Sequence, residues 1–169
     1  AFTYFIGFAA NRGEYKMMGL APYGEPKYVD KIRENIVQIN DDGSLRLNMT
    51  YFSFLQDSKM TNDNFSRLFG GPPREPESEI TEREMDLAKS IQVVTEDILI
   101  KMALHAKRLI GSDNLVLAGG VALNCVANGK LVRKNIFKNV WIQPASGDAG
   151  GALGAALFFY HGKMGMKRS

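Results

Sequence analysis

Two stretches decide the fold: Leu115-Val-Leu-Ala-Gly-Gly-Val-Ala-Leu-Asn124 and Gln143-Pro-Ala-Ser-Gly-Asp-Ala-Gly-Gly-Ala-Leu-Gly-Ala-Ala156. In each, a short apolar run delivers a glycine-rich turn into a helix-forming segment. The spacing predicts a strand over 115–118, a tight turn at Gly119-Gly120 and a helix over 122–133. A second strand is expected over 140–143, ended by Pro144, and a last helix over 150–160. Preceded by one more helix, this alternation with short connections is the pattern of an α/β lobe with a parallel strand pair.

That preceding helix opens at Thr81-Glu82-Arg83-Glu84, a capping box in which the Thr81 hydroxyl serves the Glu84 amide while Glu84 reaches back. Met85, Ala88, Ile91, Thr95, Ile98, Met102, Ala106 and Leu109 then recur at three- and four-residue spacing, predicting one long amphipathic helix stopped by Gly111. Before it, GGPPREPESE at 70–79 reads as a linker or an exposed loop. The earlier half is mixed. A short helix is expected over 27–35, with Val29, Ile32 and Ile36 on one face. Strands over 37–39 and 45–47 flank Asp41-Asp42-Gly43-Ser44 and make a small β-hairpin. Thr61 is the expected cap of a brief helix that ends at Gly70-Gly71.

Composition sets the bounds around these elements. The chain has 169 residues, 45% hydrophobic and 23% charged, which excludes a disordered chain, a collagen-like repeat and a coiled coil. One cysteine, Cys125, excludes a disulfide scaffold, and two distant histidines, His105 and His161, form no zinc finger. Twenty-one basic residues face 18 acidic ones, interspersed, so the net charge of +3 describes a mixed solvated surface rather than a nucleic-acid footprint. No apolar run reaches the roughly 18 residues of a membrane helix. The opening AFTYFIGFAA lacks a basic leader region and an initiator Met, so the chain reads as a piece of something longer. A single free thiol and no export signal point to the cytoplasm.

Three places can carry chemistry. At Gly119-Gly120 the backbone is open to close approach, and helix amides behind it favour an anion, with Asn124 placed to bond a ribose or phosphate. A turn needed only for strand–helix packing accounts for the same glycines. At Ser146-Gly-Asp148, Asp148 is either a helix N-cap or a metal or nucleotide contact at the carboxyl end of the strands. The small face of Gly150, Gly151, Gly154 and Ala155 suits a closely packed helix or a flat adenosine group. In Asn11-Arg-Gly-Glu-Tyr-Lys-Met-Met-Gly-Leu-Ala-Pro-Tyr-Gly24, Lys16 can neutralise a phosphate or sit in a surface pair with Glu14. Cys125 is expected to be a buried, inert thiol. Tyr51, Phe52 and Phe54 are expected to fill core or cover an interface between lobes.

Five motifs in order carry a resemblance over nearly the whole chain: Gly13-Glu-Tyr-Lys-Met-Met-Gly-Leu-Ala-Pro-Tyr-Gly24, Phe69-Gly-Gly-Pro-Pro-Arg74, Met85-Asp-Leu-Ala-Lys-Ser-Ile-Gln92, Gly119-Gly-Val-Ala-Leu-Asn124 and Ser146-Gly-Asp-Ala-Gly-Gly-Ala-Leu-Gly154. The sequence resembles the O-carbamoyltransferases of nodulation factors and antibiotics. It is similar, more distantly, to the tRNA threonylcarbamoyl transferase. The resemblance implies an actin-like ATPase (ribonuclease H-like) fold, with residues 1–169 as one partial domain, the later part of the N-terminal carbamoyl-transfer domain. It implies ATP and carbamoyl phosphate as substrates, carbamoyl-adenylate as donor and the hydroxyl of a small molecule or glycan as acceptor. It implies a divalent metal, usually iron, with Asp148 as one ligand and the family's His-x-x-x-His ligands outside this chain. Gly119, Gly120 and Asn124 match the adenosine- and phosphate-binding turn, and Lys16 and Gly19 match a motif lining the same cleft. The remaining partners would be the missing N-terminal part and the adenylate-forming C-terminal domain, so the chain alone is expected to be inactive. A non-catalytic actin-like module for nucleotide binding or assembly is the alternative.

Overall fold

The computed structural model describes residues 1–168, and they fall into two compact units, Ala1–Leu109 and a second from Ile110 onward. The segment 70–79, where a linker was possible, is a loop inside the first unit. Its Arg74 is buried, and the guanidinium donates to the carbonyls of Ile6 (2.7 Å), Gly7 and Ser78 and lies 5.4 Å from the centre of the Phe8 ring. An Arg so enclosed satisfies carbonyls that no helix or strand uses, which makes the loop a structural strap.

The first unit holds the helices α1 (Phe2–Phe5), α2 (Glu14–Leu20), α3 (Val29–Lys31), α4 (Asp63–Leu68) and α5 (Glu82–Ile110), and the hairpin β1 (Val37–Ile39) and β2 (Leu45–Leu47). The antiparallel register pairs Gln38 with Arg46, as the turn chemistry required. Asp42 accepts from both the amide and the hydroxyl of Ser44, and Gly43 takes φ +83°, which an L side chain rarely adopts. The core is aromatic. Phe2, Phe5, Phe65 and Phe69 pack with ring centres 4.7–6.1 Å apart, and Ile32, Ile36, Leu87 and Val94 close around them. Tyr51 and Phe52 lean on this core, and Phe54, 37% exposed, packs against Phe52 with ring centres 5.6 Å apart.

Three local expectations need correction here. The brief helix is capped by Asn62, whose side chain accepts from the amides of Asn64 and Phe65; Thr61 instead lies buried with its hydroxyl unpartnered among the described residues. At α5, Glu84 does reach back to the Thr81 amide (3.0 Å), yet the Thr81 hydroxyl donates to that same carboxylate rather than serving the Glu84 amide. The buried face of α5 matches the predicted stripe only in part: Ala88 is buried and Ile91 and Ile98 pack against the core, but the face is wider and more polar than expected. Leu87, Ala88 and Val94 are fully buried, together with the polar Glu84, Asp86, Ser90, Gln92 and Glu96, while Met102 and Leu109 are exposed. The cause is hydrogen bonding that a hydrophobic period cannot encode. Asp86 accepts from the Glu25 amide at 2.7 Å and pairs with Lys27. Ser90 accepts from the Tyr28 amide at 2.9 Å and donates to the Asp86 carbonyl. These bonds clamp the chain at 24–28 onto α5, so closely that a side chain at Gly24 would meet the Met85 carbonyl at 2.1 Å.

The second unit contains β3 (Asn114–Leu117), α6 (Cys125–Arg133), β4 (Asn139–Ile142) and α7 (Gly150–Leu157). Strands β3 and β4 are parallel, with Leu115 opposite Val140 and Leu117 opposite Ile142. The expected strand pair is therefore present, each strand one residue earlier than the apolar run suggested. No helix among the described residues is long and apolar enough to cross a membrane.

Candidate functional site

The two glycine-rich turns lie side by side beyond the carboxyl ends of β3 and β4, joined by one hydrogen bond: the Gly119 amide donates to the Ser146 carbonyl at 2.7 Å. The parallel register places both strand ends at one level, and each turn then leads into a helix. This is the edge at which open α/β sheets bind ligands. Gly119 has φ +107°, so the turn requires glycine there. Gly120 is different. Its φ is ordinary, it is exposed, and a Cβ built on it would meet nothing within 4 Å. Nothing among the described residues needs position 120 to lack a side chain, and the backbone there is open to solvent.

The helix ends differ from expectation. Residues 120–123 form a single tight 3-10 turn, and α6 begins only at Cys125, with Asn124 as its cap: the Asn124 side chain accepts from the Ala127 amide at 3.0 Å. The capping carbonyl oxygen thus has a structural partner. Asp148 does not cap α7. The N-cap is Ala149 in helical conformation, and the Asp148 backbone carbonyl accepts from Gly151 while Gly147 accepts from Gly150. These backbone bonds close the first turn without a side chain, so the Asp148 carboxylate is exposed and makes no hydrogen bond or ion pair among the described residues. Cys125, expected to be buried, is exposed at the start of α6.

Two residues that spacing did not single out support this edge. Ser146 is buried and supplies the carbonyl that joins the turns, and its own hydroxyl has no partner among the described residues. Asn128 is buried one turn into α6 and donates to the Ala122 carbonyl at 2.8 Å, fixing the 3-10 turn to the helix. Ser146 stood inside a quoted motif beside Asp148; Asn128 gave no signal beyond its polarity on an apolar face.

Lys16 and Gly19 belong to the first unit, on α2. Lys16 is exposed, with its ammonium 5.8 Å from the centre of the Phe8 ring, and Glu14 is occupied by the Asn11 amide at 2.9 Å. Gly19 is exposed within the helix, and a Cβ there would meet nothing within 4 Å.

The sequence matches the family described as carbamoyltransferase N-terminus over residues 1–157. The chain belongs to this family. Among curated relatives, the domain is 60% identical over 161 residues to the uncharacterized protein sll1178 of Synechocystis, covering 95% of this chain and 26% of that protein. It is 39% identical to nodulation protein NolNO of Sinorhizobium fredii, covering 85% of this chain and 20% of the relative. It is 36% identical to nodulation protein NolO of Bradyrhizobium diazoefficiens, covering 85% and 24%. The carbamoyltransferase domain described here thus spans a fifth to a quarter of the length of these relatives.

Proposed function

We propose that this domain is the nucleotide-holding part of an O-carbamoyltransferase with an actin-like fold, which moves a carbamoyl group from carbamoyl-adenylate to an acceptor hydroxyl. The observation that carries this proposal is the joined pair of turns beyond β3 and β4, open at Gly120 and edged by the unengaged carboxylate of Asp148. The family match supplies the reaction class.

The residues divide the work by chemistry. Gly120 lets the adenylate lie against backbone, where a side chain would hold it off. The first amides of α6 and the dipole of that helix favour the adenylate phosphate, which leaves as the carbamoyl carbon is attacked. Lys16 and Gly19 of α2 match a family motif and are proposed nucleotide contacts in their own right. Asp148 fits a metal as a single ligand: it is a hard oxygen donor with no competing partner. Among the described residues no cluster of three or more His, Cys, Asp or Glu could hold an ion unaided, so the remaining ligands must come from other parts of the protein. When bound, a cation would polarise the carbamoyl carbonyl. ATP and carbamoyl phosphate would be consumed upstream, by the adenylate-forming part of the longer protein in the cytoplasm.

The test uses the full-length protein with ATP and labelled carbamoyl phosphate, following label in the adenylate and in a panel of hydroxyl acceptors. Gly120→Val should leave adenylate formation intact and lower transfer by at least about tenfold, because the added side chain fills the space the nucleotide needs. Unchanged transfer by this variant would remove Gly120 from the nucleotide site, and a wild-type protein that never consumes carbamoyl phosphate would favour a non-catalytic module instead.

A further inference from the structure

The second unit exposes apolar surface where a finished domain would not. Val116 and Trp141 sit directly opposite each other on β3 and β4, so their side chains share one face of the sheet, and they are 65% and 54% exposed. Parallel sheets are covered on both faces in folded proteins, and a two-stranded sheet alone is marginal. Helix α7, with the sequence GGALGAAL, has no polar side chain and no buried residue. A helix that is apolar all round belongs in an interior. Leu153 and Leu157 on α7, and Phe158 and Phe159 just after it, are each more than two-fifths exposed.

We infer that this surface is an internal interface: a segment of the same polypeptide outside these 169 residues covers it, extending the β3–β4 sheet and packing around α7. Other occupants fit less well. The nucleotide proposed above would reach the turns at the strand ends, not the sheet face at Val116 and Trp141. A membrane surface is met by helices with a basic polar face, which α7 lacks. A second copy related by a two-fold axis presents one patch, and one patch reaches one side of a helix that needs cover on several. The curated relatives provide the material, since the matched region is only 20–26% of their length.

The test is thiol accessibility in the full-length protein, read peptide by peptide by mass spectrometry. Val116→Cys and Phe159→Cys are compared with Leu55→Cys, a control at a 76% exposed position of the first unit. The two test thiols should react with maleimide at least about tenfold more slowly than the control, equally at submicromolar and at high micromolar protein. A photo-cross-linker attached at Phe159→Cys should then form adducts with peptides of the same molecule outside residues 1–169. Reaction at the control rate overturns the inference. So does protection lost on dilution, or adducts confined to residues 1–168 or to a second copy. The readout involves no turnover, so a failure here is distinct from a failure of the carbamoyl-transfer proposal.

Discussion

The two units differ in how they use apolar residues. In the first, four phenylalanines meet edge to face and are almost wholly buried, and even the carboxylates of Glu84 and Asp86 are drawn inside by defined partners. In the second, α7 buries nothing, and Trp141, the chain's one tryptophan, is half exposed. Hydrophobicity is therefore a poor guide to burial within a single chain. It reports a need for cover, which the phenylalanine core of the first unit meets internally and α7 of the second does not. Asp148, whose carboxylate has no partner among the described residues, and the exposed Gly120 lie in the second.

The comparison predicts separable consequences for mutations. The largest should come from Phe65→Ala, which removes a ring touching Phe2, Phe5 and Phe69. Truncating a buried Phe costs about 3–5 kcal/mol, and hydrogen exchange of α4 and α5 in the full-length protein should lose that much protection. Loss below about 1 kcal/mol would mean the aromatic core is not the first unit's support. Next is Asp148→Asn. Since Asp148 is no helix cap, its stability effect should stay within about 0.5 kcal/mol. Removing a ligand carboxylate should lower carbamoyl transfer by about 100-fold, equivalent to about 2.7 kcal/mol of barrier, with less bound metal. Normal turnover and metal content would leave Asp148 an ordinary surface residue.

Glu84 gives a smaller, pH-dependent effect. Burial alone pushes its carboxyl up, but hydrogen bonds from Thr81 and Arg83 outweigh this and hold it below the ordinary 4.5. The ionised form is the one favoured by folding, so its contribution is present above about pH 4.5 and is lost as the pH falls through the lowered native value. Glu84→Gln should remove that slope and about 1.5 kcal/mol near neutrality, the low end for hydrogen bonds to a charged group; acid titration of α5 exchange rates reads both. The smallest effect is the sharpest. Gly19→Ala, at the last-but-one position of α2 with free space around it, should raise local stability by at most about 0.5–1 kcal/mol. If Gly19 lines the nucleotide cleft, transfer should fall in the same variant. A gain in stability with no loss of transfer would remove Gly19 from the site.

Local chemistry made parts of this structure legible. The hairpin could be placed residue for residue because an Asp-Gly turn fixes its own register, and the parallel pair because two apolar runs each ended in a glycine turn. Legibility failed where long-range polar bonds decide. Nothing in its period marks Asp86 or Ser90 as buried, because their partners are backbone amides about sixty residues earlier in the chain. Arg74 sat in a stretch that looked like a linker until its carbonyl partners at Ile6 and Gly7 appeared. At the site, Asp148 was a plausible cap by residue type, and backbone bonds from Gly150 and Gly151 leave it no such task.

The bond from Gly119 to Ser146 has a thermodynamic consequence. Two free loops that close on a ligand each lose conformational entropy at the moment of binding, and that loss weakens affinity. Here the loops are fastened to each other by a hydrogen bond in the folded chain, so part of that entropy is lost on folding rather than on binding. A group docking against one loop, as proposed, would find the other already in position, so that the two would act as a single preorganised surface.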